Sequence, residues 1–152
     1  MRKPQPDLAI RPLRPDERSD WEPLWQDYLT FYETRVSPET TEVLWRRLHD
    51  PAEPMFVLGA FQAEKLIGIV HYVFHRSCWT IGDYCYLQDL FVSPQSRKAG
   101  AGRALIEAVE KAARESGASR VHWLTKEDNH SARALYDALA ERSGFIQYRR
   151  LF

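Results

Sequence analysis

The first third of the chain carries one short apolar run, followed by a stretch with helical spacing. Residues 8–11 read Leu-Ala-Ile-Arg and predict a strand, which Pro12 and Pro15 bring to an end. Residues 16–32 predict a helix, because large apolar side chains recur at steps of three and four residues. These side chains are Trp21, Leu24, Trp25, Tyr28, Leu29 and Tyr32.

A second helix begins at Ser37-Pro38-Glu39, which supplies a capping hydroxyl, a proline at the first position and an acid in the first turn. We expect it to end near residues 50–51. Trp45 of this helix, with Trp21 and Trp25, could form an aromatic cage for a cation. Their helical spacing favours packing in the core instead.

Three apolar runs in the middle of the chain predict strands. Residues 55–61 and 66–75 are separated by a short polar turn, so we expect them to form a hairpin. Residues 84–92 form the third run.

Helices and strands alternate in the second half. Residues 102–116 predict an amphipathic helix that Gly117 ends, and residues 131–142 predict another. Residues 121–125 and 145–151 predict strands. The order βααβββαβαβ predicts a single α/β domain over residues 1–152, with a mixed central sheet and helices on both faces.

Composition narrows the class of protein. The 152 residues contain 21 Lys plus Arg and 21 Asp plus Glu, so the net charge is zero and no global field gathers nucleic acid or an anionic membrane. No run approaches the roughly 18 apolar residues of a membrane span. Residues 1–6 lack the apolar centre of a signal peptide. We therefore expect a cytoplasmic protein, with Cys78 and Cys85 as reduced thiols.

A basic, glycine-containing loop joins the third predicted strand to the helix that follows. Glycine lets the backbone approach a ligand, and a helix start offers unpaired N–H groups and a positive dipole end, so a diphosphate would fit here. The loop residues are Arg97, Lys98, Ala99, Gly100, Ala101, Gly102 and Arg103. A plain turn remains an alternative.

A dinucleotide-binding loop is the natural rival for this segment. Seven residues, 93–99, separate the strand from the first glycine, which is too long for the tight turn of that fold. The third glycine of the dinucleotide-binding motif would fall at Leu105, or at Ala104 one residue earlier, and neither residue is a glycine. The loop also lies late in the chain, after the hairpin.

A second group of residues lies on the next predicted helix. The stretch 129–136 reads Asn-His-Ser-Ala-Arg-Ala-Leu-Tyr, and Gly144-Phe145 follows eight residues later. Tyr136 shares a helical face with Ala132, Leu135 and Leu139 and therefore points toward the sheet. Taken alone, such a tyrosine is a core residue.

The two groups together resemble the GCN5-related N-acetyltransferase (GNAT) family. The resemblance rests on Arg-x-x-Gly-x-Gly at one helix start and Asn-x-x-Ala-x-x-x-Tyr on the next helix. It is firm over residues 84–148, the cofactor-binding half, and rests on element order over residues 8–75. Residues 86–92 and 31–33 are similar to the branch of spermidine/spermine, thialysine and yeast histone/polyamine acetyltransferases.

The resemblance implies that acetyl-coenzyme A (acetyl-CoA) is the cofactor. The pantetheine arm would pair with the backbone of Leu90, Phe91 and Val92. The 97–103 loop would hold the pyrophosphate. Asn129, His130, Ser131 and Ala132 would also contact the cofactor. Tyr136 would be the general acid, and Tyr32, Glu33, His122, Trp123 and Leu124 would lie near the acceptor. Asp27 and Glu33 could attract a cationic amine, or could belong to a solvated helix face.

One position departs from the branch. Gln88 stands where a glutamate is usual and cannot act as a carboxylate base, although it could hold a water or bind the amine. Asp89 alternates to the other face of the strand. Asp83, Glu33, His71 and solvent remain open as routes for the proton.

These features predict an enzyme that acetylates a primary amine by direct transfer in a ternary complex, without a metal. The acceptor would be a small cationic amine, such as a polyamine or an amino acid, or a lysine-containing peptide. A homodimer is possible, because family members are often dimers. The alternatives are a nucleotide-dependent oxidoreductase, a non-catalytic acyl-CoA-binding or partner-binding module, and an aminoacyl-tRNA acetyltransferase; zero net charge disfavours the last.

Overall fold

The computed structural model describes residues 7–152; the segment 1–6, which the sequence predicts to lack a signal-peptide centre, lies outside them. A single five-stranded sheet runs in the order β1-β2-β3-β4-β5, antiparallel except for the parallel pair β4–β5. Two 3₁₀ turns, Pro15–Glu17 and Pro94–Ser96, complete the described part. The elements are β1 (Leu8–Pro12), α1 (Arg18–Phe31), α2 (Pro38–Leu48), β2 (Met55–Gln62), β3 (Lys65–His75), β4 (Tyr84–Val92), α3 (Ala101–Glu115), β5 (Val121–His122) and α4 (His130–Leu139).

The predicted order of elements is confirmed up to α4, and three predictions near the C-terminus are wrong. Residues 145–151 form no strand, and their side chains are exposed. The strand predicted over 121–125 is reduced to Val121–His122, because β4 and β5 diverge after the pair Tyr86–His122 and leave the next residues without a ladder partner. The helix predicted to residue 142 ends at Leu139, because Ala140 is extended (φ −147°, ψ 174°).

One face of the sheet is covered by α3 and, more loosely, by α4. The buried face of α3 packs Leu105, Ile106 and Val109 against Val70 and Leu87 of the sheet. No residue of α4 is fully buried. This layer positions the loop before α3 and the inward face of α4 beside β4.

Tryptophans from α1 and α2 fill the core on the opposite face. Trp21 is fully buried, stacks on Trp25 with ring centroids 6.1 Å apart, and lies 4.7 Å from the Trp45 ring. Core packing of the three tryptophans, rather than a solvent-open cage, is confirmed. Helices therefore cover both faces of the mixed sheet, as the sequence predicts.

An ion pair ties the N-terminal strand to the first helix. Both guanidinium nitrogens of Arg11 donate to the buried carboxylate of Glu17, at 2.8 and 2.9 Å. Led by these bonds, the surroundings lower the pKa of Glu17 to about 2.

Two irregularities in the sheet create the space for a site. The register pairs His71 with Asp89 and Tyr72 with Leu87, which leaves Gln88 as an extra residue in β4. Two and three positions earlier on the chain, at Tyr86 and Cys85, β4 still pairs with β5, and the two strands then separate. Within residues 7–152, no helix is long and apolar enough to cross a membrane.

Candidate active site

The opening between β4 and β5 is a cavity of about 250 Å³. From here on it is called the splay cavity. Because β5 leaves β4 after Tyr86, the far edge of β4 faces this space instead of a neighbouring strand. Twelve residues line the cavity: Tyr28, Tyr32, Tyr86, Leu87, Gln88, Leu90, Trp123, Leu124, Thr125, Lys126, Tyr136 and Gln147.

Tyr136 is the inward-facing residue of α4, as the helical spacing predicts. It lies partly buried against the core, with its ring 5.5 Å from the ring of Trp123 in an edge-on arrangement. Burial, with a smaller contribution from Tyr32, raises the pKa of Tyr136 to about 12. Its hydroxyl is therefore protonated at neutral pH, which is the state from which a general acid must start.

Three further tyrosines bring α1 and β4 to the same cavity. Tyr28 and Tyr32 come from α1 and the residue that follows it, and Tyr86 comes from β4. Burial raises the pKa of all three hydroxyls, and the negative charge of Asp89 raises each of them further. The charge of Asp89 thus raises the pKa of three tyrosine hydroxyls that line the cavity.

The carboxylate of Asp89 is hydrogen-bonded to a buried histidine, His71. His71 Nδ1 lies 2.9 Å from Asp89 Oδ2, and the indole N–H of Trp21 donates to His71 Nε2 at 3.0 Å. An indole N–H can only donate, so Nε2 must carry the lone pair and Nδ1 the proton. The histidine ring is accordingly neutral and donates to the carboxylate.

A second, larger space lies on the α2 side of the sheet. This groove has a volume of about 440 Å³. Its floor includes His71, Gln88 and Asp89, and Glu39 and Arg47 of α2 lie on its opposite wall. Gln88 lines both spaces, so the bulge in β4 separates the splay cavity from the groove.

The loop before α3 fits a diphosphate. Gly100 caps the helix with φ +81°, and a side chain added at Gly100 would meet nothing within 4 Å, so the loop is open on its outer side. No side chain caps the helix, and its first N–H groups are available to an external acceptor. Arg97, Lys98 and Arg103 are exposed around it, with Arg103 also bonded to Glu107 at 2.9 Å.

The structure brings six of the residues that the sequence singled out to the splay cavity. Leu90, Gln88, Tyr32, Trp123, Leu124 and Tyr136 all line the splay cavity. Phe91 points the other way, into the tryptophan core, so only its backbone can face a ligand at the β4 edge. Val92 is half-buried against the α3 layer.

Residues 129–132 form the cap and the first turn of α4. Asn129 Nδ2 donates to Thr125 Oγ1 at 3.2 Å, and hydrogen bonds from Asn129 and Thr125 partly offset the rise in the pKa of Tyr32. His130 and Ser131 are exposed and Ala132 is half-buried. This loop therefore ties α4 to the end of α1.

Three expected acceptor residues lie outside the two spaces. Asp27 is exposed on α1, and Glu33 is exposed in the turn after it with φ +52°. His122 stacks on Tyr86 with centroids 5.1 Å apart, and its Nε2 lies 3.1 Å from His75 Nε2. No cluster of three or more potential metal ligands occurs within residues 7–152.

Sequence reasoning named His71 and Asp89 but missed their pairing, and it assigned no site role to six lining residues: Tyr28, Tyr86, Leu87, Thr125, Lys126 and Gln147. One signal was present for the pair. Both residues are polar positions within otherwise apolar strands, and such positions need a partner when buried. Their adjacency depends on the register of β3 and β4, which the sequence does not give.

Comparison with known proteins shows the family of the chain. Residues 19–140 match the Acetyltransferase (GNAT) family, and the chain belongs to that family. It is 32% identical over 145 residues to the D-amino-acid N-acetyltransferase HPA3 of Saccharomyces cerevisiae, covering 94% of this chain and 90% of the yeast protein. It is 30% identical over 115 residues to the thialysine N-epsilon-acetyltransferase of Caenorhabditis elegans, covering 72% of this chain and 70% of that protein.

Solved structures share the fold at low sequence identity. The aminoglycoside acetyltransferase AAC(6')-Iy in complex with a CoA bisubstrate analogue superposes with a TM-score of 0.83 at 16% identity, covering 96% of this chain and 99% of that one. The ribosomal-protein-alanine N-acetyltransferase of Brucella melitensis biovar Abortus 2308 has a TM-score of 0.82 at 20% identity, covering 96% and 100%. The chain is thus an N-acetyltransferase of the GNAT fold, in the branch that the sequence motifs indicated.

Proposed function

We propose that this protein transfers an acetyl group from acetyl-CoA to the primary amine of a small cationic acceptor, by direct transfer within a ternary complex. The observation that carries the proposal is the splay cavity, where the open edge of β4 and the side chain of Tyr136 meet. When bound, acetyl-CoA supplies the acetyl group as an activated thioester.

The cofactor would lie along the edge of β4 and across the start of α3. Backbone groups of residues 90–92 are available on that edge, and the amides of Gly100 to Arg103 point outward at the helix start. The positive side chains Arg97, Lys98 and Arg103 would neutralise the diphosphate charge. Residues 129–132 would close the cavity beside it.

Tyr136 would hold the proton that the departing thiolate needs. A thiol has a pKa of about 8.5 by analogy with cysteine, so expulsion of a bare thiolate is assisted by a donor close to the sulfur. Because burial keeps the Tyr136 hydroxyl protonated, the proton is in place when the carbon–sulfur bond breaks. An unpaired N–H of the β4 edge near Leu90 would polarise the thioester carbonyl.

We expect the acceptor to be an amino acid, a lysine-like amine or a polyamine. Two relatives are named for acting on D-amino acids and on thialysine. Tyr32, Gln88, Trp123 and Leu124 would contact the acceptor within the splay cavity. Asp27, Glu33 and His122 lie outside the lining of the cavity. Asp27 and Glu33 would attract the cationic acceptor through the salt-sensitive electric field at the surface. His122 would support the cavity wall by stacking on Tyr86.

A turnover screen tests this function. Release of CoA from acetyl-CoA would be measured with thialysine, D- and L-amino acids, polyamines, lysine peptides and aminoacyl-tRNA. We expect small cationic amines to be acetylated and to outcompete monoamines of equal length. Tight CoA binding without turnover on any amine would contradict catalysis and favour a binding module; acetylation of aminoacyl-tRNA alone would favour the nucleic-acid alternative.

We also infer that the protein is a homodimer joined through its C-terminal segment, residues 143–152. Five large apolar residues there are each at least 76% exposed: Phe145, Ile146, Tyr148, Leu151 and Phe152. The segment has no ladder partner within residues 7–152, and β5 ends the sheet with one edge open. A second copy has the same segment and the same open edge. The segment of each copy would therefore pair with the open edge of β5 in the other copy.

The dimer would bear on the site, because Gln147 of this segment lines the splay cavity. Light scattering on wild type and on Ile146→Ser/Tyr148→Ser tests it. We expect a dimeric wild type and a monomeric variant with a higher KM for the acceptor. A wild type that is monomeric throughout the concentration range of the assay would contradict the inference.

A further inference from the structure

We propose that Asp89, fixed by His71, is the carboxylate that receives the ammonium group of the acceptor and removes its proton. The proposal rests on the acetyl transfer proposed above and identifies the base that Gln88 cannot supply. Asp89 lies on the floor of the groove, one residue beyond Gln88, which lines both spaces, and its carboxylate forms a side-chain hydrogen bond with Tyr28 of the splay cavity.

The carboxylate of Asp89 lines one space and influences side chains that line the other. Asp89 lines the groove, while its charge acts on the hydroxyls of Tyr28, Tyr32 and Tyr86, which line the splay cavity. Its side chain is 14% exposed, against 3% for that of His71. The carboxylate is therefore reachable by a ligand, while the histidine behind it is closed off.

His71 orients the carboxylate and does not take the proton itself. Its Nε2 lone pair accepts from Trp21 at 3.0 Å, and its Nδ1–H donates to Asp89 Oδ2 at 2.9 Å. Both nitrogens are occupied, so a proton could reach the ring only if the bond to Trp21 broke. His71 occupies Asp89 Oδ2, and the Tyr28 hydroxyl also forms a side-chain hydrogen bond with the carboxylate, so the acceptor would approach the part of the carboxylate that remains exposed. His71 is thus a positioning residue.

The other candidates for the base are placed elsewhere. Asp83 lies 3.3 Å from Arg76 at the distant end of β4 and lines neither space. Glu33 is exposed in the turn after α1 and also lines neither space. Glu39 lines the groove, but it comes from the α2 wall, across from the β4 edge at which the chemistry would occur.

The proton balance of the step is simple. One N–H bond of the ammonium breaks, its electron pair stays on nitrogen, and the proton moves to a carboxylate oxygen of Asp89. The neutral amine then forms the C–N bond as the C–S bond breaks, with the electron pair of that bond leaving on sulfur. Tyr136 protonates the sulfur, the remaining extra proton on nitrogen restores Tyr136, and Asp89 releases its proton to solvent. One proton is released per turnover.

The variant that tests the proposal is Asp89→Asn, which keeps the shape and removes the charge. With thialysine as the acceptor we expect kcat/KM at pH 7 to fall by about 10²–10⁴-fold, the range for a general base. The deficit should shrink by about tenfold per pH unit as pH approaches the amine pKa of about 10.4, because more amine then arrives neutral. The titratable or charged groups facing Asp89 are His71, Tyr28, Tyr32, Tyr86, Glu39 and Arg47.

Controls separate this role from a structural one. Asp83→Asn, which removes a carboxylate of the same strand region outside both spaces, should keep wild-type kinetics. Calorimetric affinity of Asp89→Asn for CoA should equal that of wild type, which shows an intact fold. Calorimetric binding of thialysine to the protein without cofactor should weaken in Asp89→Asn at pH 7, since the ammonium loses its counter-charge.

The outcomes distinguish this proposal from the one it rests on. An Asp89→Asn variant within threefold of wild-type kcat/KM, or a deficit that does not change between pH 7 and 9.5, overturns the role of Asp89. Failure of wild type to bind thialysine at all also overturns it. Thialysine binding that depends on Asp89, with no acetyl transfer by wild type, supports the ammonium contact and contradicts the proposed catalysis.

Discussion

The indole N–H of Trp21 donates to Nε2 of His71 over 3.0 Å, and this single bond decides which nitrogen of the histidine carries the proton. The two residues are fifty positions apart and meet where α1 packs on β3. Because Nε2 accepts this bond, Nδ1 on the other side of the ring carries the proton and donates to Asp89.

Trp21→Phe should release the histidine from this constraint. Nitrogen-15 NMR of wild type should show His71 as the Nδ1–H tautomer, and the variant should show a mixture of tautomers. The lost volume and hydrogen bond should lower the free energy of unfolding by about 1–3 kcal/mol.

Trp25→Phe is the matched control, because its indole N–H donates to Thr41 Oγ1 at 3.2 Å in the same core and does not bond to His71. It should cost similar stability and leave the His71 tautomer unchanged. A Trp21→Phe variant with an unaltered tautomer would mean that the packing of the ring, rather than the bond, fixes its state.

The loop before α3 makes a prediction about cofactor affinity. Gly100→Glu places bulk and negative charge at the helix start, so the Kd for CoA measured by calorimetry should rise at least tenfold, about 1.4 kcal/mol. The charge would occupy the space that the diphosphate needs.

Gly117→Glu provides the control at the other end of the same helix. Gly117 has φ +79° against +81° for Gly100, and a side chain at either position meets nothing within 4 Å. The two variants therefore share the backbone strain and the added charge. Equal CoA affinity in the two folded variants would show that the loop does not hold the diphosphate.

Much of this organisation could be predicted from the sequence. The apolar runs of β2, β3 and β4 were located to within one residue at each end, because buried strands leave continuous apolar stretches. The start of α2 followed from Ser37, whose hydroxyl accepts from the amide of Thr40 at 3.0 Å. Helical spacing predicted that Tyr136 points toward the sheet, and the family resemblance implied its place in the site; in the structure it lines the splay cavity.

What could not be predicted depends on contacts between distant segments. Trp123 to Thr125 have strand-like composition, yet β5 has already left β4 there, and composition does not reveal that divergence. Residues 145–151 are rich in apolar and aromatic side chains, which favours a strand, yet they have no ladder partner in the described chain. The bulge at Gln88 shifts the alternation of β4 by one residue, and it is set by the pairing with β3.

The ion pair of Arg11 with Glu17 makes a prediction about stability and pH. The folded-state pKa of Glu17, about 2, lies below its ordinary value of 4.5, so the stabilisation is present above pH 4.5 and is lost as pH falls toward 2. Glu17→Gln should lower the free energy of unfolding by about 1–2 kcal/mol at pH 7, measured by urea denaturation.

The difference between Glu17→Gln and wild type should shrink between pH 4.5 and pH 2. Glu42→Gln removes the partner of Arg18 from an exposed pair and serves as the control, with an expected loss of about 0–1 kcal/mol. A Glu17→Gln penalty no larger than that of Glu42→Gln would show that burial adds nothing to the Arg11 pair.

The central claim is that the splay cavity catalyses acetyl transfer with Tyr136 as its acid, and Tyr136→Phe tests it most directly. The substitution removes one oxygen and keeps the ring against Trp123. Single-turnover acetylation of thialysine, with chemistry limiting, should slow by about 10²–10⁴-fold while the Kd for CoA changes little. A variant that acetylates thialysine at the wild-type rate under those conditions would contradict the account and leave Tyr136 as a packing residue.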